Sequence, residues 1–210
     1  MKRILFLLFI CSIGVFSCKD QSQYAAVEKV AKGTKTLTYV INTTGSINST
    51  SSLSTNDLIN TLSSEVKNEG VKDYTIRSLK ISWISANIHK ASPNTAASFS
   101  LESFVTKTSG PGSVSLINAH NETIDDVFAP KALTGYLTLG GVQEINTALD
   151  EAIRKSEGKP VIDVTIKGNP SPANTRVAVT LTLNITFVME YYYCEFVFPL
   201  LINPLDECVM

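Results

Sequence analysis

Charge is scarce in this chain. Asp, Glu, Lys and Arg make up 18% of its 210 residues and cancel to a net −1. That balance gives no electrostatic case for a nucleic acid or an anionic membrane as partner. Histidine is scarcer still, with His89 and His120 the only two. Neither stands in an H-E-x-x-H pattern, and C-x-x-C, G-x-S-x-G and phosphate-loop spacings are missing as well. No catalytic constellation is left, so neither an enzymatic activity nor a cofactor or metal is expected. The apolar run Ile4 to Phe16 has 13 residues, too few for a membrane-spanning helix, which needs about 20.

What the chain has instead is Ser, Thr and Asn in alternation with aliphatic residues. From Val177 to Tyr191 the odd positions are Val, Val, Leu, Leu, Ile, Phe, Met and Tyr, while the even positions are mostly Thr, Asn and Glu. Strict period-2 alternation marks a strand with one face in a core and one in water. Fifteen residues at ~3.3 Å each would span roughly 50 Å, so the strand is expected to bend or to pass from one sheet to another.

The same alternation predicts strands at Thr36–Thr43, Tyr74–His89, Ala97–Val105, Ser113–Ala119, Leu133–Leu139 and Val161–Lys167. In the second of these the apolar phase shifts between Trp83 and Ile84, as a β-bulge or burial on both faces would require. Two amphipathic helices interrupt the strands. The first opens at Ser54 with Asp57 in capping-box position, carries Leu58, Ile59, Leu62 and Val66 on one face, and stops at Gly70. The second carries Val142, Ile145, Leu149, Ala152 and Ile153, and stops at Gly158. Thr43–Thr55 and His120–Pro130 read as polar loops, and Tyr24–Ala31 as a short helical possibility.

The order helix, strand, Pro-Asn-type turn, strand occurs twice, as an internal duplication or as two generic helix–hairpin units. The fold class that follows is mainly β, an antiparallel sandwich with two amphipathic helices covering an end or edge. The Thr-rich strands resemble immunoglobulin-like or similar sandwich domains of bacterial envelope lipoproteins. The Cys–Trp–Cys arrangement of true immunoglobulin domains is missing around Trp83.

Few side chains suggest a site. His120, Asn121, Glu122, Asp125 and Asp126 cluster within seven residues. They offer oxygen and nitrogen ligands for a divalent cation but lack EF-hand spacing; solvated loop charges are the expected explanation, and no metal site is assigned. Asp163 and Glu190 lie on polar strand faces with nothing to bring them together. The run from Tyr191 through Phe198 to Ile202 is dense in apolar residues. It serves as core, as a wall of an apolar ligand pocket, or, at the outward Tyr192, as a partner surface.

The N-terminus carries a more specific pattern. Lys2 and Arg3 precede the apolar run, which ends in Val15-Phe16-Ser17-Cys18. This resembles the signal peptide and lipobox of bacterial lipoproteins, with an aliphatic residue three before the cysteine and a small one just before it. Phe16 departs from the small residue usual there. The resemblance implies cleavage before Cys18 and lipid acylation of that residue. The chain would then divide into a signal peptide 1–17, a tether 18–33 and one domain 34–210, anchored to the bacterial outer membrane on its periplasmic or outer side. Lys19-Asp20 loosely resembles a surface-export signal of such proteins. Processing would leave Cys194 and Cys208, a possible disulfide in an oxidising compartment. The expected function is a non-catalytic binding or structural ectodomain with an envelope or extracellular protein partner. The alternative is a carrier of an apolar small molecule.

Overall fold

The computed structural model describes residues 24–108, 112–125 and 130–196. Among them the elements run β1 Tyr24–Thr43, β2 Ile47–Ser54, α1 Thr55–Asn68, β3 Thr75–Lys90, β4 Ser98–Lys107, β5 Ser113–Thr123 and β6 Lys131–Ala132. There follow α2 Leu139–Arg154, β7 Val161–Gly168, β8 Pro170–Ser171 and β9 Val177–Phe196. The chain divides into two compact units, Lys29–Tyr191 and a second formed by Met1–Glu28 with Tyr192–Met210. Of the second unit, the described residues are the start of β1 and the end of β9.

The strands form two antiparallel sheets, β1-β9-β3-β6 and β2-β7-β4-β5, with β8 beside β4. Hydrogen bonds from Thr34 to Thr186 and from Thr36 to Asn184 set β1 against β9 in antiparallel register. The protein is mainly β, a two-layer sandwich with two amphipathic helices.

The odd positions of β9 from Val177 to Tyr191 all face inward, none more than 1% exposed. Where the length of this run suggests passage between sheets, β9 stays in one sheet and its cover changes. Near Leu181, Tyr39 of β1 spans the two layers, its hydroxyl donating to the Val164 carbonyl of β7 at 2.9 Å. Farther along, a Cβ on Gly33 of β1 would lie 2.8 Å from Leu62 of α1. Beyond that, the Tyr191 hydroxyl donates to Glu69 just past the same helix, at 3.2 Å. The second sheet therefore covers one stretch of the inner face and the helices continue the cover where it stops.

Local chemistry explains each helix. Ser54 accepts the Asp57 backbone N–H at 3.2 Å and caps α1, which buries Leu58, Ile59, Leu62 and Val66; Gly70, at φ +88°, ends it. In α2, Thr138 caps Gly141, and Ile145, Ala148, Leu149 and Ala152 are buried. Any side chain at Gly141 would collide with the Ser115–Leu116 backbone of β5, so glycine lets the helix start against the strand. Asn146 accepts the Ile81 N–H of β3 at 3.1 Å and fixes the other side.

Four expectations are corrected. Tyr24–Ala31 is strand, not helix, and Ala31 joins the buried odd series of Leu37, Tyr39 and Ile41. Thr43–Thr55 is not a loop. Its residues 47–54 pair with β7, with Ile47 and Leu53 inward and Thr50–Thr165 and Ser52–Asp163 hydrogen bonds outward. Leu133–Leu139 is no continuous strand, since a 3-10 turn at Thr134–Tyr136 and a single bridge from Leu137 to Ile117 lead into α2. The two repeated units are not hairpins, because β3 and β4, like β7 and β9, lie in different sheets. Their two corners lock together instead. Thr95 exchanges hydrogen bonds with the Arg176 backbone, Ala178 N–H donates to Asn94 Oδ1, and Ala97 N–H donates to the Ser171 carbonyl.

Candidate functional site

Two places in Lys29–Tyr191 gather side chains of functional interest, one closed and one open. The closed one lies on β5, where the pairing with β4 slips between Leu101 and Ser103 and again between Ser103 and Phe104. Such irregularity re-aims side chains. It brings the Asn118 carbonyl to 2.9 Å from His120 Nδ1, while Nε2 lies 3.0 Å from Glu122 Oε1. The other Glu122 oxygen takes a hydrogen bond from Lys131 of β6, at 3.0 Å. Lys131 also donates to Thr123, whose hydroxyl donates to Asp125 at 3.1 Å. The Tyr136 ring stacks on the imidazole, with centroids 3.9 Å apart and planes 5° from parallel.

His120 and Glu122 side chains are each 7% exposed. Both ring nitrogens face acceptors and each carboxylate oxygen already accepts a hydrogen bond, so the pair is engaged within the cluster. A metal would have to displace the Lys131 ammonium. Among the described residues no group of three His, Cys, Asp or Glu is arranged to hold one. The arrangement clasps the β6 segment and the turn behind it onto β5. His120 and Glu122, expected in a loop, are strand residues. Asn121 is exposed, Asp125 joins only through Thr123, and Asp126 lies outside the described residues. Lys131 is the member that the local cluster does not reveal, since it arrives from a strand nine residues on.

The open place is the outer face of the β1-β9-β3 sheet. Opposite each other on β1 and β9 stand Thr34 and Thr186, Thr36 and Asn184, then Thr38 and Thr182. On β3, Ser78 bonds Glu190 and Ser82 bonds the Thr186 carbonyl, but Ala91 meets Ala178, one residue out of step. Ser82 and Trp83 are both exposed while Leu79, Ile84, Ala86 and Ile88 are buried. The phase shift is thus a bulge that turns Trp83 outward, 45% exposed, and not burial on both faces. Ser85 and Asn87 continue the outer row beyond it.

The remaining candidates stay apart. Asp163 accepts from Ser52 on one sheet, and Glu190 accepts from Ser78 on the other. Tyr192, in the second unit, is 38% exposed. Cys194 is disulfide-bonded; its expected partner Cys208 lies outside the described residues, as do Cys18, residues 1–17, Lys19-Asp20 and the run from Phe198 to Ile202. Among the described residues no helix is long and apolar enough to cross a membrane.

No protein-family model matches the chain, and no curated protein matches it. Among solved structures it is similar to a chain of turnip yellow mosaic virus, at 10% identity and a TM-score of 0.33, over 84% of this chain and 98% of that one. A chain of the decameric BFDV capsid protein gives 10% identity and 0.33, over 79% and 98%. Likeness at this level carries no argument about what this chain does.

Proposed function

We propose that this is a lipid-anchored cell-envelope protein, acylated at Cys18, whose ectodomain is a non-catalytic binding module. The anchor rests on the lipobox residues Val15, Ser17 and Cys18 after the Lys2-Arg3 apolar leader. The observation that carries the binding role is the outer face of the β1-β9-β3 sheet, which presents an indole to solvent on a regular polar surface. Trp83 leaves 45% of its surface open on that face, and a large, rigid ring with a polar N–H is suited to partner contact. The rival reading, a carrier for an apolar molecule, needs space between helices and sheet. A Cβ on Gly33 would already lie 2.8 Å from Leu62, which leaves little space at that point, so it stands second.

Oxidative footprinting of Trp83 in intact envelopes and in the purified chain tests the binding role. Protection of Trp83 in the envelope is the expected result, and equal reactivity in both overturns it. Protease shaving of cells carrying wild type and Cys18→Ala tests the anchor. Membrane association that is unchanged by Cys18→Ala removes it.

A further inference from the structure

We propose that the outer face of the β1-β9-β3 sheet binds an uncharged polysaccharide, with Trp83 stacking on a sugar ring. This rests on the binding-module reading and names the partner's chemistry.

The first argument is charge. Thr34, Thr36 and Thr38 of β1, Thr186, Asn184 and Thr182 of β9, and Trp83, Ser85 and Asn87 of β3 form a grid three strands wide. It measures roughly 13 Å along the strands and about 10 Å across. No member is ionisable. Ionisable residues begin at its margins, with Lys32, Lys80 and Glu190 at one end and His89 and Arg176 at the other. The opposite sheet shows that this is not a habit of the chain. Its outer face carries Glu102, Asp163 and Lys167, with Lys167 lying over the Phe104 ring at 4.7 Å. A face stripped of charge offers nothing to an ionic partner and imposes no cost of burying an ion on a neutral one.

The second argument is the kind of groups present. Hydroxyls and carboxamides both donate and accept, as sugar hydroxyls do. Thr34–Thr186 and Thr36–Asn184 hydrogen bonds hold the side chains in a fixed array. Trp83, raised by the bulge at the end of one row, supplies the flat apolar surface that the C–H face of a pyranose needs.

Trp83 is the only tryptophan in the chain, so intrinsic fluorescence reports this face alone. The full-length chain in detergent would be titrated with soluble uncharged glucans, xylans and mannans and, in parallel, with anionic alginate and heparin. The expected result is a saturable change in fluorescence with at least one uncharged glycan and none with the anionic ones. Trp83→Ala, followed by calorimetry, and Thr182→Lys should each weaken that binding by about tenfold or more. Both positions are outward, so both variants should keep the wild-type unfolding midpoint to within a few degrees. No response to any uncharged glycan, an equal response to anionic ones, or undiminished binding by Thr182→Lys overturns the proposal. If Trp83 is nonetheless protected in intact envelopes, the binding-module reading survives with a protein partner. If it is not, both readings fall.

Discussion

The two sheets have like inner faces and unlike outer ones. Inward, Leu181, Leu183, Ile185 and Phe187 on one sheet and Phe99, Leu101, Val164 and Ile166 on the other are buried to 1% or less. Outward, one sheet carries uncharged hydroxyls, amides and Trp83, and the other carries acids and lysines. The inner faces have no freedom, because each must fill the same core at close packing. The outer faces are free of that demand, and a difference between them therefore reflects something other than folding. Substitutions on inner faces should act on stability, and those on the uncharged outer face on binding.

The largest effects test the likeness of the inner faces. Phe187→Ala and Phe99→Ala should each cost about 3–5 kcal/mol in chemical denaturation, since each leaves a cavity that close-packed neighbours only partly fill. A large difference between them would mean that one sheet, not the shared core, dominates stability. Glu122→Ala should cost about 3 kcal/mol, by leaving Lys131 without its anion and the buried His120 ring without its partner. The difference from the apolar core is that this loss is recoverable. Replacing the group together, as His120→Phe, Glu122→Leu and Lys131→Met, should return the unfolding free energy to near wild type. If the triple variant is no better than Glu122→Ala, the clasp does more than satisfy its own charges.

A smaller effect joins the two inner faces. Tyr39→Phe removes the hydroxyl that reaches Val164 across the layers and should cost about 1 kcal/mol at neutral pH. Burial holds that hydroxyl's pKa well above the usual tyrosine range. Unfolded, it ionises near pH 10, so above that pH the unfolded chain releases a proton that the folded chain keeps. Stability from this group is whole below pH 10 and falls as the pH rises. Wild type should therefore lose more stability than Tyr39→Phe between pH 9 and about 11, read from denaturant midpoints. Parallel curves would deny the burial of that hydroxyl.

How much of this was legible in the residues follows from where the information lies. The long strand, the cap at Ser54, the faces of both helices and the strand at Val161–Lys167 were readable, because each is set by spacing within one segment. β2 was not, since Ser and Thr alternate with only Ile47 and Leu53 to mark the inward side, and its partner β7 lies over a hundred residues away. The stretch after Leu133 misled because a short apolar run fits several local structures until α2 packs against β5. The closed cluster was half visible: His120 and Glu122 stand together in the chain, but Lys131 joins only through the pairing of β6 with β3. Trp83 announced a change of phase, yet the side to which the bulge turns it depends on β9.

The smallest effect concerns the outer rim, where charges do appear. Glu151 of α2 accepts hydrogen bonds from Lys107 of β4 and, at 2.6 Å, from Lys155 one turn on. These bonds hold its pKa down at about 2, against the usual 4.5. The unfolded chain thus takes up a proton at this carboxyl before the folded chain does. Its contribution is present above about pH 4.5 and is lost as the pH falls toward 2. Glu151→Gln should shift the denaturant midpoint slightly at pH 6 and not at all at pH 2. Because the pair lies near solvent, added salt should shrink the difference at pH 6. Glu122 provides the internal contrast, since its side chain is 7% exposed against 24% for Glu151 and should respond less to the same salt. Equal salt sensitivity at the two glutamates would mean that the clasp on β5 opens to water and is not the closed unit that its geometry describes.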